Sequence, residues 1–221
     1  YTEPSPIQKA SIPELMLGRD LVGQAQTGTG KTAAFALPII ENLKDEFSSP
    51  QALVLAPTRE LAMQVAESFR AYASGHSNIR ILAVYGGADF RSQINALKRG
   101  VQVVVGTPGR VMDHMRQGTL NTSELRCLVL DEADEMLRMG FIDDVEWILE
   151  KLPNDRQMVL FSATMPSEIR RLSKKYLNSP AEITIKPTGV KESLIRQRYL
   201  IVQNSYKLDA LERVLETVTE E

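Results

Sequence analysis

Residues 25–32 read Ala25-Gln26-Thr27-Gly28-Thr29-Gly30-Lys31-Thr32. A short strand candidate, Asp20–Gly23, precedes them, and a helical pattern opens at Lys31. Strand, glycine-rich turn and helix in this order form the context of a phosphate-binding loop. Gly28 and Gly30 let the backbone turn tightly, so that successive N–H groups converge on phosphate oxygens. The helix start adds the positive end of its dipole. In that reading Ala25 to Thr32 cradle a nucleotide, Lys31 reaches the β and γ phosphates, and Thr32 places its hydroxyl on Mg²⁺. Ala25 stands where the pattern has glycine, a substitution it tolerates. The bland alternative is a glycine-rich turn that happens to precede Lys-Thr.

About a hundred residues on, the apolar run Leu128-Val129-Leu130 ends in Asp131-Glu132-Ala133-Asp134. An apolar strand ending in adjacent acids is the second half of a nucleoside-triphosphatase site. Asp131 would hold Mg²⁺ through water, because that ion dehydrates reluctantly. Glu132 would orient and deprotonate the attacking water. Taken alone, the acids could equally open a helix, where they favour the N-terminal dipole.

Around these two landmarks, short runs rich in Val, Ile and Leu alternate with helical patterns. The strand candidates are Asp20–Gly23, Ala52–Ala56, Ile79–Tyr85, Val101–Gly106, Cys127–Leu130, Met158–Ser162 and Ala181–Ile185. Between them lie helix candidates at Lys31–Leu43, Arg59–Tyr72, Arg91–Lys98, Gly109–Gln117, Ile142–Lys151 and Ser167–Tyr176. Val103-Val104-Val105 lacks polar alternation and reads as a strand buried on both faces. The expectation is an α/β fold: a mostly parallel sheet with helices on both faces and ligands at the carboxyl ends of its strands. Composition shifts near Lys186-Pro187-Thr188-Gly189. A strand-like Tyr199–Val202 follows. Then comes a helix pattern, Lys207–Thr217, with Leu208, Leu211, Leu215 and Val218 at helical spacing. Residues 1–186 are thus expected to form one domain, and 187–221 a linker and the opening of a second domain cut off at Glu221.

The chain has 26 Lys+Arg against 28 Asp+Glu, a net charge of −2. Composition therefore argues against a broad nucleic-acid surface, and any such binding must be local. No apolar stretch is long enough to span a bilayer, and no targeting segment opens the chain. The single cysteine, Cys127, excludes an intrachain disulfide and points to a reducing cytoplasm, where it reads as a small buried hydrophobe. Local anion sites are available. Thr107-Pro108 and Thr58-Arg59 each follow a strand candidate and read as N-cap and first helical position. Gly86-Gly87 would allow close approach at a third strand end. Arg59 and Arg110 supply charge. Each feature is also ordinary chemistry for a strand-to-helix loop. Ser162 and Thr164 end another apolar strand and could hydrogen-bond Asp134, or merely cap the helix after Met165-Pro166. His76 and His114 share no ligand spacing and read as solvated surface. Trp147, Met136 and Met139 read as packing, and Asp143, Asp144 and Glu146 as a solvated helix face.

Asp131-Glu132-Ala133-Asp134 spells the signature of the DEAD-box RNA helicases, and the other motifs of that family stand in order around it. Tyr1-Thr2-Glu3-Pro4-Ser5-Pro6-Ile7-Gln8 resembles its adenine-reading Q motif. Pro57-Thr58-Arg59-Glu60-Leu61-Ala62, Gly86-Gly87 and Thr107-Pro108-Gly109-Arg110 resemble its RNA-contacting motifs, with Gln93 a further RNA candidate. Ser162-Ala163-Thr164 resembles the segment coupling ATP to RNA. Val104–Arg110 and Asp131–Asp144 look closest to bacterial cold-shock-type members.

The resemblance covers residues 1–186 and implies a RecA-like ATP-binding domain. It implies ATP and Mg²⁺ as ligands, catalytic roles for Lys31, Asp131 and Glu132, and backbone contacts to RNA with little sequence preference. It also implies a second RecA-like domain that supplies charge-stabilising arginines. Since no such motif follows Thr188, this chain alone is expected to turn ATP over slowly. By the same resemblance Tyr1 stacks on adenine and the Gln8 amide faces its Hoogsteen edge. Ser5-Pro6-Ile7-Gln8 is also a capping box in its own right. Two rivals stay open: another phosphate-loop translocase, and an ATP-dependent RNA clamp or chaperone.

Overall fold

The computed structural model describes residues 3–44, 49–76, 78–185 and 198–217. The chain falls into two compact units, Tyr1–Lys186 and Pro187–Glu221. In the first, helix α1 (Pro6–Met16) precedes strand β1 (Leu21–Gln24) and helix α2 (Lys31–Asn42). Then follow β2 (Ala52–Leu55), α3 (Arg59–Tyr72), β3 (Ile81–Val84), α4 (Phe90–Lys98), β4 (Val103–Gly106) and α5 (Pro108–Arg116). The unit ends with β5 (Cys127–Leu130), α6 (Ala133–Arg138), α7 (Ile142–Lys151), β6 (Gln157–Ser162), α8 (Ser167–Tyr176) and β7 (Ala181–Thr184).

The seven strands form one sheet in the order β3-β4-β2-β5-β6-β1-β7, and every pairing is parallel. The sheet is thus wholly rather than mostly parallel. Its alternation is visible once the strands are placed. Val54, Val103, Val105, Val129, Val159 and Phe161 face α1, α2 and α3, where Ile7, Phe35 and Phe69 complete one core. Leu53, Leu55, Val104, Leu128, Leu130 and Leu160 face the other way, against Val111, Met136, Ile148 and Leu172 of α5 to α8. Continuous apolar strands are what two covered faces require. The core also takes Cys127, whose thiol burial pushes up to about 12, so it stays a neutral packing group.

Two readings need correction, and one open alternative is decided. Residues 199–202 adopt no strand, and the second unit shows a 3-10 turn at Asn204–Tyr206 followed by helix α9 (Lys207–Thr217). A strand needs a hydrogen-bonded neighbour, and the described residues offer that stretch none. The acids after β5 do open a helix, α6, in addition to standing at a strand end. His114 is fully buried rather than solvated, while His76 is exposed as expected.

Candidate nucleotide and nucleic-acid site

Because all strands are parallel, every strand-to-helix turn emerges on one edge of the sheet. The strand order divides that edge into two halves. β1, β6 and β5 bring together the glycine-rich loop, Ser162–Thr164 and Asp131–Asp134. β2, β4 and β3 bring together Pro57–Arg59, Thr107–Arg110 and Gly86-Gly87. The halves meet where Leu55 and Leu130 pair at the ends of β2 and β5.

In the first half, the loop runs from buried Ala25 through exposed Gln26, Thr27 and Gly28 to Thr29 and Gly30. Gly30 is the N-cap of α2 at φ 89°, ψ 23°, a left-handed conformation that favours glycine. A Cβ there would lie 2.5 Å from Gln8 Nε2, so a side chain would strain the backbone and displace the Gln8 amide. The first-turn N–H groups of α2 have no acceptor inside the helix and face the loop opening. Thr29 Oγ1 donates to the Gln26 carbonyl at 2.7 Å, which rounds the turn. Lys31 is buried beneath the loop, with Nζ donating to the Ala25 carbonyl at 3.2 Å. Thr32 beside it is partly buried.

Gln8 makes the capping-box bond and also reaches the glycine-rich loop. Its Oε1 accepts from the Ser5 N–H at 2.9 Å, the capping-box bond. Its Nε2 donates to the Gly30 carbonyl at 3.1 Å, and Ser5 Oγ donates to the Thr29 carbonyl at 2.7 Å. The cap of α1 is thereby fastened to the phosphate loop. The amide retains one N–H and one lone pair beyond these bonds. Tyr1 lies outside the described residues.

Asp131 is buried, and its Oδ1 has no hydrogen-bond partner among the described residues. Burial raises its pKa to about 6, against the opposing pull of Lys31. An orphaned buried carboxylate oxygen of this kind suits a cation. Glu132 follows at φ 53°, ψ 52°, a left-handed conformation that costs a non-glycine residue ~1–2 kcal/mol. It turns the Glu132 side chain toward the loop, where Thr27 Oγ1 donates to Oε1 at 3.3 Å. Asp134 is buried and ties the next strand end into place. Its carboxylate accepts from Thr164 Oγ1 at 2.7 Å, Thr164 N at 2.9 Å and Ala163 N at 3.4 Å. Its own N–H donates to Ser162 Oγ at 3.2 Å. Burial alone would raise the Asp134 pKa, but these bonds, the Thr164 hydroxyl first among them, bring it below the ordinary value.

In the second half, Thr58 caps α3, its hydroxyl accepting from the Leu61 N–H at 3.1 Å. Pro57 precedes it in the same turn. Arg59 is more than half exposed, with its guanidinium 5.8 Å above the Tyr85 ring and beside Gly87. Gly87 sits at φ 83°. Thr107 is the N-cap of α5 by backbone conformation but makes no side-chain cap bond, and Pro108 begins the helix. The Thr107 hydroxyl and the first-turn N–H groups around Gly109 are therefore free to meet a ligand. Gly106 lies at the close approach of three elements: a Cβ there would meet Val84 Cγ2 at 2.5 Å and Val111 Cγ2 at 2.7 Å.

Arg110 and Gln93 are largely occupied by the protein. Arg110 Nη1 donates to the Ala88 carbonyl at 3.2 Å and to Gln93 Oε1 at 3.1 Å, and its guanidinium lies 5.1 Å over Phe90. Gln93 is buried, and its Nε2 donates to the Tyr85 carbonyl at 3.3 Å. His114 joins them, with Nε2 at 2.9 Å from Gln93 Oε1 and its ring stacked on Phe90 at 4.3 Å. Sequence reading missed this buried group. The available signal was spacing: Arg110 and His114 lie four apart on α5, and Phe90 and Gln93 three apart on α4, so each pair shares a face.

Residues 5–172 match the family model described as DEAD/DEAH box helicase. The chain is 55% identical over 216 residues to the ATP-dependent RNA helicase DeaD of Buchnera aphidicola subsp. Schizaphis graminum, covering 98% of this chain and 36% of that protein. It is 51% identical over 216 residues to the ATP-dependent RNA helicase DeaD of Escherichia coli K12, covering 98% and 34%. The chain thus spans about a third of the length of these curated relatives. A crystal structure of a DEAD box protein from the hyperthermophile Methanococcus jannaschii superposes with a TM-score of 0.80 at 44% identity, covering 97% of this chain and 57% of that one. A hypothetical ATP-dependent RNA helicase from Sulfolobus tokodaii gives 0.76 at 38% identity, covering 84% and 54%. The all-parallel sheet of residues 21–184 is the RecA-like fold of such proteins. The chain belongs to the DEAD/DEAH box helicase family.

Proposed function

We propose that this chain is the ATP-binding half of an ATP-dependent RNA helicase of the cytoplasm, coupling RNA-stimulated ATP hydrolysis to local unwinding or remodelling of RNA. The observation that supports this most is the division of one sheet edge into adjoining halves. One has the loop, lysine and paired acids of a triphosphatase, and the other has uncovered helix starts, a Gly-Gly turn and two arginines.

In this reading Ala25 to Thr32 hold the triphosphate, with Tyr1 and the spare hydrogen-bonding capacity of Gln8 turned to adenine. Lys31 meets the β and γ phosphates, and Thr32 and Asp131 hold Mg²⁺. The orphaned Asp131 Oδ1 supports a cation at that place. When bound, Mg²⁺ neutralises charge on the phosphate oxygens. Glu132, already turned toward the loop, orients the attacking water and takes its proton. Asp134, Ser162 and Thr164 couple the two halves. Pro57, Thr58, Arg59, Gly86, Gly87, Thr107, Pro108, Gly109 and Arg110 receive the RNA backbone, with Gln93 behind them. Contacts of that type select phosphate and sugar rather than base sequence. Residues 187–221 lead into a second RecA-like domain, which would supply arginines to the transferring phosphoryl group.

ATP turnover by the protein together with its second RecA-like domain, measured with and without single-stranded RNA, tests the proposal. Stimulation by RNA and a ~10²–10⁴-fold loss in Glu132→Gln are expected. Turnover indifferent to RNA, or equally fast with GTP, would count against it.

A further inference from the structure

We propose that His114 is a positioning residue for the RNA edge: through Gln93 it holds Arg110 and the Tyr85–Gly87 turn in the arrangement that receives the phosphate backbone. The inference rests on the RNA reading above.

The hydrogen-bond directions are determined by the partners. Arg110 can only donate, so the Gln93 atom that faces its Nη1 at 3.1 Å is the amide oxygen. The same oxygen lies 2.9 Å from His114 Nε2, so that ring nitrogen carries a proton. In the neutral ring Nδ1 must then accept, so the one Thr119 hydroxyl proton is shared between Nδ1 at 2.8 Å and the His114 carbonyl at 3.1 Å, with Nδ1 the nearer acceptor. Burial and the nearby Arg110 charge both lower the His114 pKa, against the opposing Asp113, and favour the neutral form. A directed chain results: Thr119 to His114, His114 to Gln93 Oε1, and Arg110 to the same oxygen.

The consequences fall on both RNA-side elements. Gln93 Oε1 has both lone pairs filled, so its amide cannot flip, and its Nε2 is held on the Tyr85 carbonyl just before Gly86-Gly87. Both hydrogens of Arg110 Nη1 are committed, to Ala88 and Gln93. Nη2 has no hydrogen-bond partner among the described residues and keeps two N–H donors for a phosphate, while Nε faces Asp113 Oδ2 at 3.9 Å. Phe90 supports the group from beside, stacked on His114 and lying under Arg110. Gln93 therefore serves RNA from behind, as the joint between His114 and Arg110.

The test measures binding of a fluorescein-labelled oligouridylate by anisotropy, and of a fluorescent ADP in parallel. His114→Phe keeps an aromatic ring on Phe90 and deletes the N–H. It should weaken RNA binding about 5–20-fold, the usual effect of breaking one charge-linked hydrogen bond, with ADP affinity within about 2-fold. His114→Gln, which restores a donor, should return RNA affinity to within about 3-fold of wild type. Thr119→Val, which frees the tautomer, should cost about 2–4-fold. Wild-type RNA affinity in a folded His114→Phe variant overturns the proposal, and so does a loss that His114→Gln fails to repair. If His114→Phe does not fold, wild-type affinity in Thr119→Val overturns it. Absence of RNA binding by the wild type would remove the underlying RNA reading, a result separable from the others.

Discussion

Gln8 Nε2 donates to the Gly30 carbonyl at 3.1 Å, fastening the first helix to the phosphate loop at its left-handed residue. The residue proposed to read the base is thus also a strut of the loop proposed to hold the phosphates. Gln8→Ala should therefore do two things. Discrimination between ATP and GTP should fall, and affinity for both nucleotides should drop by about 10-fold, since a loop strut and a cap bond are lost together. Competition binding with ATP and GTP against a fluorescent ADP measures both. A variant that loses base preference but keeps full affinity would show that the strut contributes nothing.

Asp131, proposed to hold Mg²⁺, is costly to the fold. Its carboxyl is raised from 3.8 to about 6, so the folded form holds a proton that the unfolded chain has released. The resulting cost to stability grows as pH rises from 3.8 through about 6 and is fully present above that. Asp131→Asn removes the charge and should stabilise the nucleotide-free protein by ~1–3 kcal/mol at pH 7.5, while abolishing Mg²⁺-dependent turnover. Thermal melts should show the gain shrinking toward pH 4. A gain independent of pH would refute this account.

His114 has the opposite sign. Its folded pKa is lowered from 6.5 by burial first and by Arg110 second. The unfolded chain therefore takes up a proton at higher pH than the folded one. Wild-type stability relative to His114→Phe should fall as pH drops below 6.5, in the window between the unfolded and folded pKa values. Denaturant midpoints of the two proteins at a series of pH values between 5 and 8, as ~0.5-unit steps, follow this.

Thr164 gives Asp134 its shortest bond, at 2.7 Å. Thr164→Ala should cost ~1 kcal/mol in stability, a partly buried hydrogen bond to a charged group. Nucleotide and RNA should still bind separately, with their mutual enhancement weakened. Titrations of each ligand in the presence and absence of the other report this coupling. Undiminished enhancement in the variant would place the coupling elsewhere.

Much of the candidate nucleotide site was legible because its signals are local. Gly28, Gly30 and Lys31 sit within one turn, and Asp131 and Glu132 end one strand, so spacing carries the chemistry. The helix α3 boundaries, Arg59–Tyr72, were likewise readable from a cap and a periodic apolar face. Spacing pairs Arg110 with His114 and Phe90 with Gln93, but the meeting of the two pairs was not legible: the members come from α4, α5 and Thr119 beyond α5, and meet only after β3 and β4 pair. The stretch 199–202 misled because apolar residues alone do not make a strand without a partner. The order of strands was also beyond pattern reading, and it is what sets the two candidate halves side by side.

The central claim is that RNA lies across the ends of β2, β3 and β4, beside the ATP loop. Photo-crosslinking with 4-thiouridine-substituted single-stranded RNA in the presence of a non-hydrolysable ATP analogue, followed by peptide mapping, tests it most directly. The account predicts crosslinks at Pro57–Arg59, Gly86-Gly87 and Thr107–Arg110. Crosslinks confined to the opposite edge of the sheet, where the strands begin, would contradict it.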